Sequence, residues 1–271
     1  MKVIDFHVHV GLKEHWHSWV QEFQKSVGSD YYERYEELSS PEGFADYIKQ
    51  HGIEKAVILA EYSPVTTGVV TNDYVLEFCE GRHCFIPFAS INHFLTPDPA
   101  GELRSLFKRG FKGVKLYPSY HYFYPNDREV YPIYAAAAEH GFPVMVHTGS
   151  SIFRGARLKY ADPIHLDDVA RDFPGLKILV VHGGRGIWYD TAFLLSRMHE
   201  NVYLEISGLP PQNLLKYFPD MEKNSSKIVY GSDWPGVVTI GENVEKMKRL
   251  PLSTEALERI LYTNAKKILR L

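Results

Sequence analysis

Eight short apolar runs recur along this 271-residue chain, and several of them end on a histidine or an aspartate. Most runs are nearly continuous in Val, Ile, Leu, Phe and Tyr instead of alternating with polar residues. Such runs are typical of strands that are covered on both faces, as in a parallel sheet. The predicted strands are residues 3–10, 55–61, 85–92, 113–118, 143–149, 177–184, 201–208 and 227–235.

Helix-like segments separate these strands, and the alternation predicts a parallel α/β architecture. Eight strands in 271 residues favour a (β/α)8 TIM barrel, as one domain over residues 1–271, above an open sheet. A closing helix is predicted over residues 253–271, with Thr254 as its N-cap. The other predicted helices are residues 41–50, 72–80, 99–108, 130–140, 165–173, 187–199 and 212–218.

Metal-type side chains stand at the ends of four predicted strands. His7 and His9 are two positions apart, so on one strand both side chains point to the same face. His147, His182 and Asp233 each close another apolar run. Each of these three alone is more simply a hydrogen-bonded residue at a strand end, whereas a pair of hydrogen-bonded core histidines is only the alternative for His7 and His9. Together, on one barrel rim, they form the nitrogen-rich ligand set of zinc or a similar divalent ion.

Two further carboxylates belong to the same strands. Asp5 shares the parity of the two histidines one layer deeper, and Glu205 ends the seventh run. Each is a candidate to orient a metal-binding histidine. A buried structural carboxylate is the equal alternative for Asp5.

Long aromatic or charged segments follow several strand ends, which is where barrel enzymes keep their sites. Arg185, directly after the HGG sequence, is the best candidate to bind an anion, because its guanidinium can form two parallel hydrogen bonds with one carboxylate. Arg154 and Arg157 are more simply solvated loop residues. The candidates for a pocket wall are Tyr117, Tyr120, Tyr122 and Trp234, although loop aromatics more often pack than bind ligand.

The chain resembles the amidohydrolase superfamily, nearest its amidohydrolase-related branch of TIM-barrel hydrolases and decarboxylases. The resemblance rests on HVH at residues 7–9, HTG at 147–149, HGG at 182–184 and GSDWP at 231–235. The segments GFKGVKLYP and TNAKKILRL also resemble that branch. The resemblance implies that Asp233 is both metal ligand and general base, and that His182 polarises the substrate or orients water. The implied metal ligands are His7, His9, His147 and Asp233.

Lys115 leaves three interpretations open. In binuclear superfamily members a lysine of this strand is carboxylated and bridges two metals, and His182 would then bind the second ion. A free ammonium that pairs with a substrate carboxylate is the interpretation we favour. A lysine with only a structural partner is the third.

The ligand chemistry predicts a divalent metal, zinc before manganese or iron, with one ion favoured over two. Activation of water by that ion indicates a hydrolase of an amide, lactone or related bond in a small, carboxylate-bearing molecule. A non-oxidative decarboxylase of an aromatic or unsaturated acid is the alternative. An inactive barrel that only binds or scaffolds predicts a lost ligand, whereas every position of the pattern is filled.

Composition excludes several other classes of protein. The net charge is −3 and the basic residues are scattered, so no nucleic-acid partner is expected. No apolar run approaches 18 residues, and the N-terminus lacks the features of a signal peptide. Two cysteines, Cys79 and Cys84, read as ordinary thiols of a cytoplasmic protein. The aromatic segment 12–40 suits either a lid or the contact of a homodimer.

Overall fold

Eight parallel strands form one sheet whose order follows the chain, in a computed structural model that describes all 271 residues. The strands are β1 (Val3–His9), β2 (Ile53–Leu59), β3 (Glu61–Ser63), β4 (Gly68–Val70), β5 (Phe85–Ser90), β6 (Val114–Leu116), β7 (Val144–His147), β8 (Ile178–Val181), β9 (Val202–Glu205) and β10 (Ile228–Val229). All but β3 and β4 belong to this sheet.

The sheet closes into a barrel between β1 and the segment that follows β10. The Phe6 amide donates to the Tyr230 carbonyl at 3.0 Å, and the Asp233 amide donates to the His7 carbonyl at 2.9 Å. Val8 and Trp234 form a parallel bridge across the same seam. The predicted TIM barrel is therefore confirmed.

Helices cover the outside of the barrel and join successive strands, since parallel strands need crossover connections. No helix has both the length and the apolar character required to cross a membrane. The helices are Ser18–Ser26, Asp30–Glu33, Tyr35–Leu38, Pro41–Gln50, Asn72–Cys79, Pro99–Arg109, Pro118–His121, Tyr131–His140, Leu166–Asp172, Tyr189–Met198, Leu214–Tyr217, Ile240–Lys248, Thr254–Glu258 and Asn264–Leu269, with a π-helical turn Arg259–Thr263 joining the last two.

The barrel has two apolar regions, one inside it and one between its strands and helices. Inside, the rings of Phe6 and Phe88 meet edge to face with their centroids 5.6 Å apart. A β-carbon on Gly113 would lie 2.3 Å from the Phe88 ring, so that ring occupies its place only because residue 113 has no side chain. Outside, a larger cluster of 59 buried residues packs the helices onto the strands.

Four local features differ from the sequence prediction. Residues 12–40 contain the helix Ser18–Ser26 and two short helices, and residues 61–70 contain the unpredicted antiparallel hairpin β3–β4. The N-cap of the closing helix is Ser253 and not Thr254, because the Ser253 side chain accepts from the Ala256 amide. Most barrel strands are also shorter than predicted, because the residues that follow them leave the sheet ladder to build loops; β2 keeps its length but begins two residues earlier, at Ile53.

Candidate active site

A cavity of about 240 Å³ opens at the carboxyl ends of the barrel strands. Its volume lies below the usual range of ligand pockets, roughly 300–1,000 Å³, so it suits a small molecule. Its floor is polar and its upper walls are largely aromatic, with Trp16, Phe23 and Phe153 among the upper residues. The lining residues with a carboxylate, an imidazole or a basic group are His9, Glu61, Lys115, His147, His182, Arg185 and Asp233.

Three ligand-type atoms converge at the floor of this cavity. Nε2 of His7 lies 3.1 Å from Nε2 of His9. Oδ1 of Asp233 lies 3.3 Å from the first of these nitrogens and 3.5 Å from the second. Ligand atoms about 2.0–2.1 Å from a tetrahedral ion are about 3.3 Å apart. The three atoms thus have the mutual spacing that one small divalent ion requires.

Four imidazoles lie side by side around this point. The ring centroids of His7 and His182 are 5.1 Å apart, and those of His182 and His147 are 4.7 Å apart. Nε2 of His147 is buried and has no hydrogen-bond partner. Burial lowers the pKa of His7, His147 and His182 well below the usual value, and nearby Lys115 or Arg185 adds to the effect. These rings are neutral at pH 7, as metal ligands must be.

Ser207 and Glu205 orient two of these rings from behind. The Ser207 hydroxyl donates to Glu205 Oε2 at 2.8 Å, so it must accept from Nδ1 of His7, also at 2.8 Å. Nδ1 of His182 lies 3.0 Å from the Ser207 carbonyl, which can only accept. Both rings therefore carry their proton on Nδ1 and keep the lone pair of Nε2. Ligand atoms of His7, His182 and Glu205 also lie close enough together to hold an ion. The Ser207 hydroxyl occupies the space between them, within hydrogen-bond distance of both rings. We therefore interpret Glu205 and Ser207 as residues that orient the two rings.

Two of the site residues have unusual backbone conformations. His182 and Asp233 follow β8 and β10 with φ of +60° and +67°. Residues other than glycine rarely adopt this left-handed region, and such strain concentrates at functional sites. The left-handed residue ends the strand direction abruptly and leaves the side chain at the floor of the cavity. Asp5 secures the seam from below, because its Oδ1 accepts from the amides of His7 and Ser232.

Asp233 is ionised and lies beside a guanidinium. Burial alone would raise its pKa, but the positive charge of Arg185 and the polar groups around the carboxylate lower the pKa below its usual value. Nη1 of Arg185 lies 3.9 Å from Asp233 Oδ2, while its Nε donates to the Ser150 carbonyl at 3.1 Å. The arginine is thus anchored at one end and faces the carboxylate at the other.

Lys115 is a fully buried amine at the cavity floor. Its Nζ lies 3.3 Å from Nε2 of His7 and 5.0 Å from the centroid of the Tyr117 ring. Burial lowers the pKa of Lys115 to about 8, against the attraction of Glu205 and Asp233. Burial likewise raises the pKa of Glu205 to about 7. The arrangement gives the cavity a cation next to the candidate metal ligands.

Sequence reasoning missed two polar residues of the site, Glu61 and Ser207. Oε2 of Glu61 lies 3.4 Å from Nδ1 of His9, and its other oxygen accepts from the Thr67 hydroxyl. Glu61 also stands at the end of an apolar run, as do the histidines, and this signal was available in the sequence. Ser207 had no signal beyond its place two residues after Glu205.

Several predicted site residues lie elsewhere. Trp234 does not line the cavity: its indole is fully buried against Phe44, and Nε1 donates to Asp30 at 2.9 Å. The expectation that it forms a pocket wall is therefore wrong. Tyr122 also points away, with its hydroxyl bonded to Gly155, whereas Tyr117 and Tyr120 do line the cavity. Arg154 and Arg157 stack on the aromatic rings of Trp19 and Tyr122 outside it.

The residues present fit a divalent ion. The floor offers neutral imidazoles, one ionised carboxylate and a buried ring nitrogen without a partner. Those are the nitrogen and oxygen donors that zinc, manganese and iron accept. The fold and this donor set define the class: a TIM barrel with a candidate metal centre at the carboxyl end of its strands.

The chain belongs to the amidohydrolase family, whose sequence profile matches residues 4–271. The solved structures that resemble it include decarboxylases and a probable hydrolase. No curated protein sequence matches the chain significantly.

Solved structures similar to this one cover the whole chain. An uncharacterised TIM-barrel protein from Bordetella bronchiseptica has a TM-score of 0.84 at 23% identity, over 100% of this chain and 99% of that one. A 2,6-dihydroxybenzoate decarboxylase from Rhizobium has a TM-score of 0.73 at 17% identity, over 100% and 99%. A probable 2-pyrone-4,6-dicarboxylic acid hydrolase from Acinetobacter baumannii has a TM-score of 0.73 at 18% identity, over 100% of both chains. At these identities the similarity shows the fold alone.

Proposed function

We propose that this protein is a metal-dependent hydrolase of a small, carboxylate-bearing molecule. The observation that carries the proposal is the convergence of His7 Nε2, His9 Nε2 and Asp233 Oδ1 within 3.1–3.5 Å beneath a small cavity. One ion, held by these residues and His147, is proposed, with zinc as the first candidate. Such an ion supplies Lewis acidity, which makes water a nucleophile at neutral pH and polarises a carbonyl.

The side chains divide the remaining work. The ionised Asp233 accepts a proton from the attacking water and returns it to the leaving group. His182 keeps its Nε2 lone pair and accepts a hydrogen bond from that water, because its Nδ1 donates to Ser207. Lys115 and Arg185 bind the carboxylate of the substrate, since they are the cations that line the cavity.

Decarboxylation of an aromatic acid is the second candidate. The rings of Tyr117 and Tyr120 stack in the cavity, 13° apart with centroids 5.5 Å from each other, and present a flat wall to a planar substrate. Two of the similar structures are a 2,6-dihydroxybenzoate decarboxylase and a 5-carboxyvanillate decarboxylase, the latter complexed with manganese. In that reaction Asp233 would first take up a proton from solvent and then deliver it to the ring carbon, from which carbon dioxide leaves.

The first test is elemental analysis of untagged protein that is purified without chelators. About one equivalent of a divalent metal supports the proposal, and about two would indicate a carboxylated Lys115 that bridges two ions. Protein that binds no metal, even after reconstitution with zinc and manganese, would refute the proposal that the protein is a metal-dependent enzyme. Hydrolysis of lactones and amides of small acids is then compared with release of carbon dioxide from hydroxybenzoates.

Two variants test the roles of the ligands. Asp233→Asn should lower kcat by a factor on the order of 100 to 10,000, because the general base is lost. Asp167→Asn is the matched control, since that carboxylate also pairs with an imidazole, His199, but lies outside the cavity. Equal rates for both variants would contradict the proposed role of Asp233.

A further inference from the structure

Glu61 is a buried carboxylate beside the candidate metal ligands, and it belongs to the β3–β4 hairpin, which is separate from the eight-stranded sheet. Only 2% of the residue is exposed. One oxygen accepts from the Thr67 hydroxyl, and the other lies 3.4 Å from Nδ1 of His9. A carboxylate removed from water to this extent is costly unless its partners are well placed. Its two partners are a hydroxyl of the hairpin and the outer nitrogen of a candidate ligand.

The Glu61 carboxylate is the acidic group that faces Nδ1 of His9. The nitrogen is buried and makes no well-aligned hydrogen bond, and Glu61 is the acidic group beside it. Nε2 of the same ring faces His7 and Asp233 at the candidate centre. If the ring proton sits on Nδ1, Nε2 is left free to bind a cation. A cation at Nε2 also makes the Nδ1 proton a stronger donor to the carboxylate.

We propose that Glu61 is a positioning residue, which fixes the tautomer and orientation of His9 for metal binding and is itself held by Thr67 of the β3–β4 hairpin. This inference rests on the proposed function. Glu61 is argued to act through His9, because one of its oxygens faces Nδ1 of that ring and the other is held by the Thr67 hydroxyl.

Hydrogen bonds fasten the turn of the hairpin, which carries Thr67, to the first loop. Thr66 and Thr67 are buried, and the Thr67 carbonyl accepts from the His17 amide at 3.0 Å. The Trp19 indole donates to the Thr66 carbonyl at 2.7 Å. The hairpin is thereby fastened to the first loop, whose Trp16 lines the cavity. Glu61 therefore has a fixed support on the side away from His9.

Metal affinity tests the proposal without an activity assay. Metal-free protein is titrated with Zn²⁺ against a competing chelator, and the Co²⁺-loaded form is compared by visible absorption. Glu61→Ala should bind Zn²⁺ about 10- to 100-fold more weakly, as expected when an outer hydrogen-bond partner of a metal ligand is lost. Glu61→Gln should stay within a few fold of wild type, because its amide oxygen still accepts from Nδ1. The cobalt spectrum should change in the alanine variant and recover in the glutamine variant.

Glu54→Ala is the matched control. Glu54 lies on β2, two-thirds buried, and pairs with Lys2 and Tyr262 away from the cavity. It should bind Zn²⁺ as wild type does. If Glu61→Ala does not fold, Thr67→Val replaces it, since this change removes only the hydroxyl that holds Glu61, and a weakened affinity is again expected.

The outcomes separate this inference from the proposed function. Wild type that binds Zn²⁺ while Glu61→Ala, or Thr67→Val in its place, binds equally well would overturn the inference and leave the proposed function intact. A glutamine variant as weak as the alanine variant would also overturn it, because the hydrogen-bond acceptor would then not be what matters. Wild type that binds no metal would overturn both.

Discussion

Gly208→Ala should damage the candidate metal site with only a modest loss of fold stability. Gly208 follows β9 with φ of +64°, and an added β-carbon would lie 2.5 Å from Oδ2 of Asp233 and 2.8 Å from Nη1 of Arg185. Ordinary contact begins near 3.4 Å, so the carboxylate must retreat by about 0.9 Å. Metal–ligand distances tolerate only about 0.2 Å.

The expected affinity loss for Zn²⁺ is therefore at least about tenfold, and its measure is a chelator competition on metal-free protein. Left-handed alanine costs about 1–2 kcal/mol, or a drop of about 2–8 °C in Tm. Gly81→Ala is the control, because Gly81 has φ of +71° and nothing within 4 Å of an added β-carbon. It should lose the same stability and keep its metal. If Gly208→Ala bound Zn²⁺ as tightly as Gly81→Ala, the placement of Asp233 described here would be wrong.

Three other changes have defined outcomes. Burial lowers the pKa of His121 to about 3. Below about pH 6.5 the unfolded chain therefore binds a proton at His121 that the folded chain does not bind. The free energy of unfolding should fall as the pH falls, by about 2 kcal/mol at pH 5. His121→Gln, which can still bond Ser63, should flatten that part of the denaturation profile between pH 7 and 5, and an unchanged profile would contradict the assignment. Trp234→Phe should cost about 1–3 kcal/mol in urea unfolding and leave the metal content unchanged, because the indole bonds Asp30 and not a ligand. Lys115→Met should stabilise the metal-free protein at pH 7 while removing activity, since burial disfavours the charged amine. The gain should shrink as the pH rises from 8 to 10.5, and destabilisation at pH 7 would refute this account.

The barrel was predictable because its signals are local and repeated. Each apolar run such as KILVVH indicates a strand that is covered on both faces. Eight such strands separated by helices leave few alternative folds. The rim position of His147 and His182 followed from their place at the ends of such runs. The hairpin β3–β4 was not predictable in the same way, because its strands have three residues each and carry no clear alternation.

The candidate site was harder to read where long-range contacts decide. Trp234 follows Asp233 directly, yet the left-handed backbone of Asp233 sends the two side chains in different directions, one into the cavity and one into the core. No local pattern reveals that conformation in an aspartate. The contact of Ser207 with His7 joins residues 200 positions apart, and only the closed barrel creates it.

The seam of the barrel has a consequence for the newly made chain. His7 and Asp233 stand 226 positions apart, and they meet only where β1 joins the segment after β10. At synthesis rates of about 5–20 residues per second, Asp233 is added roughly 10 to 45 seconds after His7. Until then the chain offers an ion only part of its ligand set. An ion that needs the complete site binds only the closed barrel. Its binding therefore stabilises the closed barrel against unfolding, and the stabilisation grows with the concentration of free metal.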